Sequence, residues 1–338
     1  MTNIAINGFG RIGRLFLRQA VKKGGFSIVA VNDLTDIKQL AYLLQYDTVY
    51  GKFSEKVEIK KDSIVVGGKS IKIFSEKDPT KLPWKKLKVD VVVEATGAFS
   101  SFQKSRLHIK AGAKRVVITA PAKDAETKDA KTVLMGVNEE DLASCVVSSN
   151  GSCTTNATAV ILQVLAKELG VQKAVLNAIH GYTATQNLVD GSTRGKDIRR
   201  GRAAAQNIIP SSTGAAHAVI RVVRELQGKF DGVATRVPVA AGSLADITLV
   251  TKRPTTKKEV NDILTKAASL PQLKNILAVT EDPIVSSDII GEPYGAIVDL
   301  NFTRVVDGDL VKILSWYDNE AGYVATLLRH VEVAAKTI

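Results

Sequence analysis

The chemistry open to this chain is concentrated in one cysteine and one histidine, Cys153 and His180. Cys153 sits in the run SSNGSCTTNAT, residues 148–158. The apolar residues 145–147 predict a buried strand, which the turn formers at 148–151 break. Thr154, Thr155 and Asn156 then offer capping oxygens, and Val160, Ile161, Val164, Leu165 and Leu169 recur at helical spacing. Cys153 is therefore expected near a helix N-terminus, whose partial positive charge favours an anion. A thiol there can ionise below its free value of about 8.5, and the thiolate is a strong nucleophile. The plain alternative is a small buried hydrophobe. His180 ends a predicted strand at 174–179. A lone histidine is more often structural, but an imidazole beside a thiolate would hold it as an ion pair and later accept a proton. The 27 residues between the two (180 − 153) leave their distance in space open.

Groups suited to anions follow. Residues 181–210 show little periodicity and carry Thr183, Thr185, Arg194, Lys196, Arg199, Arg200 and Arg202. Loops of that length in compact domains are commonly functional or disordered, and hydroxyls with guanidiniums can form a phosphate site. Residues 208–214, IIPSSTG, lead into a helical pattern at 215–226, whose start is a second potential anion site. A strand predicted at 230–239 presents Arg236.

The elements that would position a cofactor come first in the chain. A short apolar strand, 2–7, is followed by Gly8-Phe9-Gly10-Arg11-Ile12-Gly13, a helical pattern, a second apolar strand at 28–31 and then Asp33. That order matches the dinucleotide-binding fingerprint. Gly8 allows the tight turn, Gly10 lets the backbone approach a pyrophosphate at the helix N-terminus, and Gly13 lets helix and strand pack closely. The Asp33 carboxylate would accept hydrogen bonds from the adenosine ribose and repel a 2′-phosphate, which favours NAD over NADP. Further strands are predicted at 90–93, 115–118 and 131–137, a helix at 36–45 and a hairpin around Gly67-Gly68. Ligands in open parallel sheets bind at the carboxyl ends of strands, so Thr96, Gly97 and Thr119 are candidate cofactor contacts. The later strands, predicted at 245–251, 296–301 and 310–317, should pair mostly antiparallel, with helices at 256–270 and 320–338.

The whole chain fits this picture. Its 338 residues suggest about two domains. No apolar run approaches the roughly 18 residues of a membrane helix, and the start, MTNIAING, carries no secretory pattern. Two cysteines in such a length argue for a reducing compartment, and no metal-type spacing is present. The net charge of +12 attracts anions in general. The basic residues are scattered, and the one dense run, 194–202, has no interleaved aromatics for stacking bases. Nucleic acid is therefore not required as a partner.

Four segments, INGFGRIGR, SNGSCTTN, NIIPSSTGAA and SWYDNEAGY, occur in the order found in phosphorylating glyceraldehyde-3-phosphate dehydrogenases, which the chain resembles from about Asn3 onward. The resemblance implies an α/β fold: a Rossmann-type NAD-binding domain, 1–150, and an α+β catalytic domain, 151–317, with a mostly antiparallel sheet and a last helix, 318–338, packing back onto the first domain. It implies Cys153 as nucleophile and His180 as its base. Arg11, Ile12, Asp33, Lys77, Thr119 and Asn319 would contact NAD. Thr183 and Arg236 would hold the substrate phosphate, with Arg199 and Thr185 in support, and Ser152, Thr154, Thr213 and Gly214 would hold substrate and inorganic phosphate. It further implies glyceraldehyde 3-phosphate and inorganic phosphate as reactants, a homotetramer and a cytoplasmic location. Two alternatives stand beside it: an erythrose-4-phosphate dehydrogenase, and a non-enzymatic nucleotide- or nucleic-acid-binding role. Ser192 departs from the NAD-type pattern, where proline is common, so exclusion of NADP rests mainly on Asp33.

Overall fold

The computed structural model describes every residue except Arg194 and Lys196. The chain forms two compact units: Met1–Leu134 with Asn138–Gly151 and Leu327–Ile338, and Met135–Val137 with Ser152–Thr326.

In the first unit the elements run β1 (Thr2–Asn7), α1 (Arg11–Lys23), β2 (Phe26–Asn32), α2 (Ile37–Gln45), β3 (Val57–Lys60), β4 (Ser63–Val66), β5 (Lys69–Phe74), β6 (Val91–Glu94), α3 (Phe102–Lys110), β7 (Arg115–Ile118), β8 (Ala130–Thr132) and β9 (Val147–Ser149). They build one nine-stranded sheet in the order β3-β4-β5-β2-β1-β6-β7-β9-β8. From β5 to β8 every pairing is parallel. The central strands are continuous apolar runs such as Val91-Val92-Val93, fully buried, as parallel strands covered on both faces must be. Two glycines are needed sterically. A Cβ on Gly13 would lie 2.2 Å from the Gly8 carbonyl oxygen. Gly8 itself has φ +94, and a Cβ there would lie 2.5 Å from the Thr96 nitrogen. These contacts seat the start of α1 directly against the strand ends.

The second unit continues with α4 (Cys153–Glu168), β10 (Val171–Gly181), β11 (Ile209–Ser212), α5 (Ala215–Val222), β12 (Phe230–Val237), β13 (Ser243–Thr251), α6 (Lys257–Ala268), β14 (Leu277–Thr280), β15 (Ala296–Val306) and β16 (Leu310–Tyr317). The last helix, α7 (Ala321–Lys336), begins here and ends in the first unit. The sheet order is β11-β12-β10-β13-β16-β15-β14. Four of its six pairings are antiparallel; β10 with β12 and β14 with β15 are parallel. β13 alternates buried and partly exposed residues along its length, so one face of the sheet lies against helices, including α4.

Several boundaries differ from expectation. The strand ahead of Cys153 is residues 147–149 rather than 145–147, because Cys145 closes a 3₁₀ turn with its N–H on the Leu142 carbonyl. The strand predicted at 131–137 stops at Thr132. There the Asn138 side chain accepts from the Leu134 N–H and donates to the Thr132 carbonyl, capping the backbone that would have continued the ladder. The hairpin around Gly67 gains a third strand through a turn at Lys61, which has φ +51. α3 was not expected, because it buries Phe102, Ser105 and His108 rather than an apolar stripe. Among the described residues no helix is long and apolar enough to cross a membrane.

His330 on α7 is buried in the first unit, with Nε2 2.7 Å from Ser148 Oγ and Nδ1 3.1 Å from Asn150 Oδ1. Burial pushes this imidazole down to about 3, whereas an unfolded imidazole titrates near ~6.5. Between those values the unfolded chain binds the extra proton, so this contribution to stability is complete above about pH 6.5 and declines as pH falls toward 3. In His330→Gln the unfolding free energy from urea titrations should decline less steeply between neutral pH and pH 4.5 than in wild type, by up to ~1.4 kcal/mol per pH unit. Identical slopes would mean that the ring titrates freely in the fold.

Candidate active site

Cys153 is the first residue of α4, and its geometry is set by its neighbours. Ser152 caps the helix: its hydroxyl accepts from the Thr155 N–H at 3.1 Å, and its own N–H donates to Thr155 Oγ1 at 3.1 Å. Thr154 is buried, with its hydroxyl 3.0 Å from the Tyr317 hydroxyl and 4.0 Å from the Cys153 sulfur. Cys153 as a residue is only partly buried, and its sulfur stands 3.4 Å from His180 Nε2. Helix α4 and the end of β10 thus bring together the two residues that the sequence left 27 positions apart.

The parallel pairing of β10 with β12 sets His180 directly opposite Arg236. Arg236 Nη1 lies 2.7 Å from His180 Nδ1 and also donates to the Gly181 carbonyl at 3.1 Å. A guanidinium only donates, so Nδ1 is the acceptor here and the ring proton sits on Nε2, facing the sulfur. The Gly181 carbonyl oxygen is itself 2.7 Å from Nδ1, ready to accept from the opposite tautomer.

Burial, followed by the Arg236 charge, lowers the His180 imidazole to about 3. Burial pushes the Cys153 thiol up, while Arg236 and then the Thr154 hydroxyl draw it back down. The expectation of a thiol depressed by the helix N-terminus therefore does not hold by itself: loss of water around the sulfur outweighs the favourable charges. The neighbouring Tyr317 hydroxyl is likewise raised by burial.

Arg236 points to an anion. Its Nε is buried with no partner, and burial followed by the nearby Arg200 charge lowers its pKa. Arg200 reaches Ser211 Oγ at 2.8 Å, Thr185 Oγ1 at 3.2 Å and the Ser212 carbonyl at 3.2 Å. Thr185 in turn is 2.9 Å from Thr183. Among the described residues neither Arg200 nor Arg236 forms an ion pair with a carboxylate, so the charge of the pair is left for a ligand. Arg199, expected in this group, turns instead to Asp197 at 3.0 Å on the surface. Arg202 pairs with Asp190, and the expected contributions of Arg194 and Lys196 lie outside the described residues. Thr213 and Gly214 start α5, with Thr213 Oγ1 accepting from the Ala215 N–H at 3.1 Å. Asn319 is buried and spends its Oδ1 on Ser243 Oγ and the Gly242 N–H, so its amide nitrogen is the group it can offer. Ser211 and Tyr317 were not singled out as site residues, and Arg200 was named only as one of the basic residues of 181–210.

In the first unit, Gly8, Gly10 and Gly13 form the turn into α1. A Cβ on Gly10 would meet no protein atom, which is the space a pyrophosphate needs above the N–H groups of the helix start. Asp33 accepts from the Phe9 N–H at 2.7 Å and the Thr35 N–H at 2.9 Å, which fixes its carboxylate beside the turn. Arg11 pairs with Asp47 and lies over the Tyr50 ring, and Ile12 follows it on α1. Lys77, Thr96 and Thr119 follow the ends of β5, β6 and β7, on the edge where a nucleotide is expected.

Residues 2–102 match the family model for the glyceraldehyde 3-phosphate dehydrogenase NAD binding domain, and residues 152–319 match the C-terminal domain of the same enzymes. The chain belongs to the glyceraldehyde-3-phosphate dehydrogenase family. It is 48% identical over 340 residues, 99% of each chain, to the glyceraldehyde-3-phosphate dehydrogenase of Clostridium pasteurianum. The same identity extends over 342 residues, again 99% of each chain, with that of Borreliella burgdorferi, and over 323 residues, 95% of this chain and 94% of the relative, with that of Streptomyces coelicolor. Membership makes the protein an oxidoreductase whose cofactor is NAD, and the open turn at Gly10 and the fixed Asp33 suit that cofactor.

The Arg236 charge favours a thiolate and disfavours an imidazolium, so its removal should raise both titrations. In Arg236→Leu the pH of half-maximal Cys153 alkylation by iodoacetamide, a neutral reagent, should move up by roughly one unit or more. A profile that does not move would remove Arg236 from control of the pair.

Proposed function

We propose that this protein oxidises D-glyceraldehyde 3-phosphate to 1,3-bisphosphoglycerate in glycolysis, with Cys153 forming a thioester that inorganic phosphate cleaves. The observation that carries this reading is the 3.4 Å contact between the Cys153 sulfur and His180 Nε2, with Arg236 behind the ring. NAD, when bound, supplies the hydride acceptor at the nicotinamide C4.

The chain's own groups do the rest. A substrate phosphate that engages Arg236 relieves the Nδ1 contact; exchange with water then moves the ring proton from Nε2 to Nδ1, where it donates to the Gly181 carbonyl. Nε2 is left bare and becomes the base. It takes the Cys153 proton as sulfur adds to the aldehyde carbon, returns that proton to the carbonyl oxygen to give the hemithioacetal hydroxyl, and takes it again as hydride departs. The acyl group stays on sulfur, and the attack of phosphate oxygen breaks the C–S bond to return the thiolate. Two anions are required. Thr183, Arg200 and Arg236 offer one seat. Ser152, Thr154, Thr213 and Gly214 are proposed for the other, with the backbone N–H groups of Thr154, Thr213 and Gly214 favoured because the Ser152 hydroxyl and N–H both serve the helix cap and the Thr213 hydroxyl is also a cap.

Residues 1–150 with 318–338 serve as the NAD-binding domain in this reading, and 151–317 as the catalytic domain. Gly8 to Gly13, Asp33, Lys77, Thr96, Thr119 and Asn319 contact NAD. Assembly as a homotetramer is supported by the outward sheet face of the second unit, where Val175, Val233 and Leu310 are exposed. A cytoplasmic location is supported by two free cysteines.

With phosphate omitted, NADH should form in one burst of one equivalent per site, and mass spectrometry should find the acyl group on Cys153. Cys153→Ser should lose at least roughly 10⁴-fold in turnover, and His180→Asn about 10²–10⁴-fold. Near-normal activity of Cys153→Ser would end the covalent mechanism. A higher kcat/KM for erythrose 4-phosphate, or for NADP, would overturn the corresponding choice.

A further inference from the structure

Beneath the expected nucleotide site lies a polar chain that the reaction scheme does not use. It joins the carboxyl ends of β1, β2 and β6 through Asn7, Asn32 and Glu94, all buried. Glu94 Oε1 accepts from the Thr96 N–H at 2.9 Å and from the Thr96 hydroxyl. Glu94 Oε2 accepts from Asn7 Nδ2 at 2.6 Å and faces His108 Nε2 at 3.0 Å. Asn7 Oδ1 accepts from Asn32 Nδ2 at 2.7 Å. Asn32 then grips the backbone of Glu76 at both ends, donating to its carbonyl at 2.9 Å and accepting from its N–H at 2.8 Å.

His108 and Trp84, neither exposed at all, close the chain from behind. The Trp84 indole N–H donates to His108 Nδ1 at 3.0 Å. An indole nitrogen only donates, so Nδ1 must accept and the ring proton must sit on Nε2, aimed at Glu94. Both Glu94 oxygens are then filled by donors, two on each side. No cation is bonded to them among the described residues.

Every end of this chain is a segment expected to touch NAD. Asn7 immediately precedes the Gly8 turn, Glu76 precedes Lys77, and Thr96 is a strand-end candidate in its own right. We infer that Glu94 is a positioning residue for the cofactor: held by the Trp84–His108 pair, its carboxylate fixes the glycine turn, the Lys77 loop and the Thr96 loop in one mutual geometry, so that NAD meets a preorganised site. A fully satisfied buried network specifies a single arrangement, whereas one with a wrong donor is costly. The inference rests on the NAD-dependent reading of this same domain.

The test is titration calorimetry of the full-length protein with NAD, alongside steady-state kinetics and thermal unfolding. Glu94→Gln keeps the shape but turns one acceptor into a donor, and neither the Thr96 N–H nor the fixed His108 Nε2–H can receive it. Its Kd and KM for NAD should rise about tenfold, while KM for glyceraldehyde 3-phosphate and the rate of Cys153 alkylation without NAD stay within twofold. Trp84→Phe keeps an aromatic ring but frees the His108 tautomer, and should raise the Kd for NAD in the same direction, by severalfold. Asn32→Ala, at the far end of the chain, serves if Glu94→Gln does not fold. Variants that unfold at lower temperature yet bind NAD within twofold of wild type would reduce the network to a structural role and overturn the inference. A wild-type protein that failed to bind NAD would instead overturn the family reading.

Discussion

A permanently charged guanidinium held against the back of a buried imidazole is the contact on which the catalytic unit depends. Arg236 cannot give up its proton, so it decides which His180 nitrogen carries one and depresses the imidazole together with burial. Through the ring it governs the sulfur 3.4 Å beyond. Its Nε, buried with no partner, couples this arrangement to whatever anion arrives. In the proposed mechanism, anion binding and acid–base readiness are thus linked through one side chain.

Desolvation is the force these arrangements work against. It raises Cys153 and Tyr317 and lowers His180 and His330. At the surface such groups would titrate freely and lose their specific roles. Inside, they are tied to defined partners: Thr154 for Tyr317, Arg236 for His180, Ser148 and Asn150 for His330. The same rule holds in both units. Buried polar groups are arranged in chains whose directionality is fixed at one end by a side chain that can only donate, Arg236 in one unit and Trp84 in the other.

Much of this was open to the sequence, for identifiable reasons. The glycines at 8, 10 and 13 follow from the space between a strand end and a helix start, so their spacing predicts the turn. Cys153 was placed at a helix start by capping residues and apolar spacing, both local signals. Tyr317 and Ser211 lay hidden in ordinary strand patterns, and α3 lacked an apolar stripe, so His108 went unread. The loop pattern named Arg199 and Arg200 alike, because nothing local distinguishes two adjacent arginines; only the fold turns one to Asp197 and the other to Ser211.

The sequence by itself determined the local grammar: which residues turn, cap and alternate, and hence the dinucleotide cradle, the place of Cys153 at a helix start and the family. The pairing of distant strands was decided by tertiary structure alone. The parallel register of β10 and β12 sets His180 against Arg236 across 56 residues of sequence, and burial then reverses the pKa shift that the helix terminus alone would suggest. Register and solvent exclusion are properties of the assembled sheet, and no local pattern encodes them.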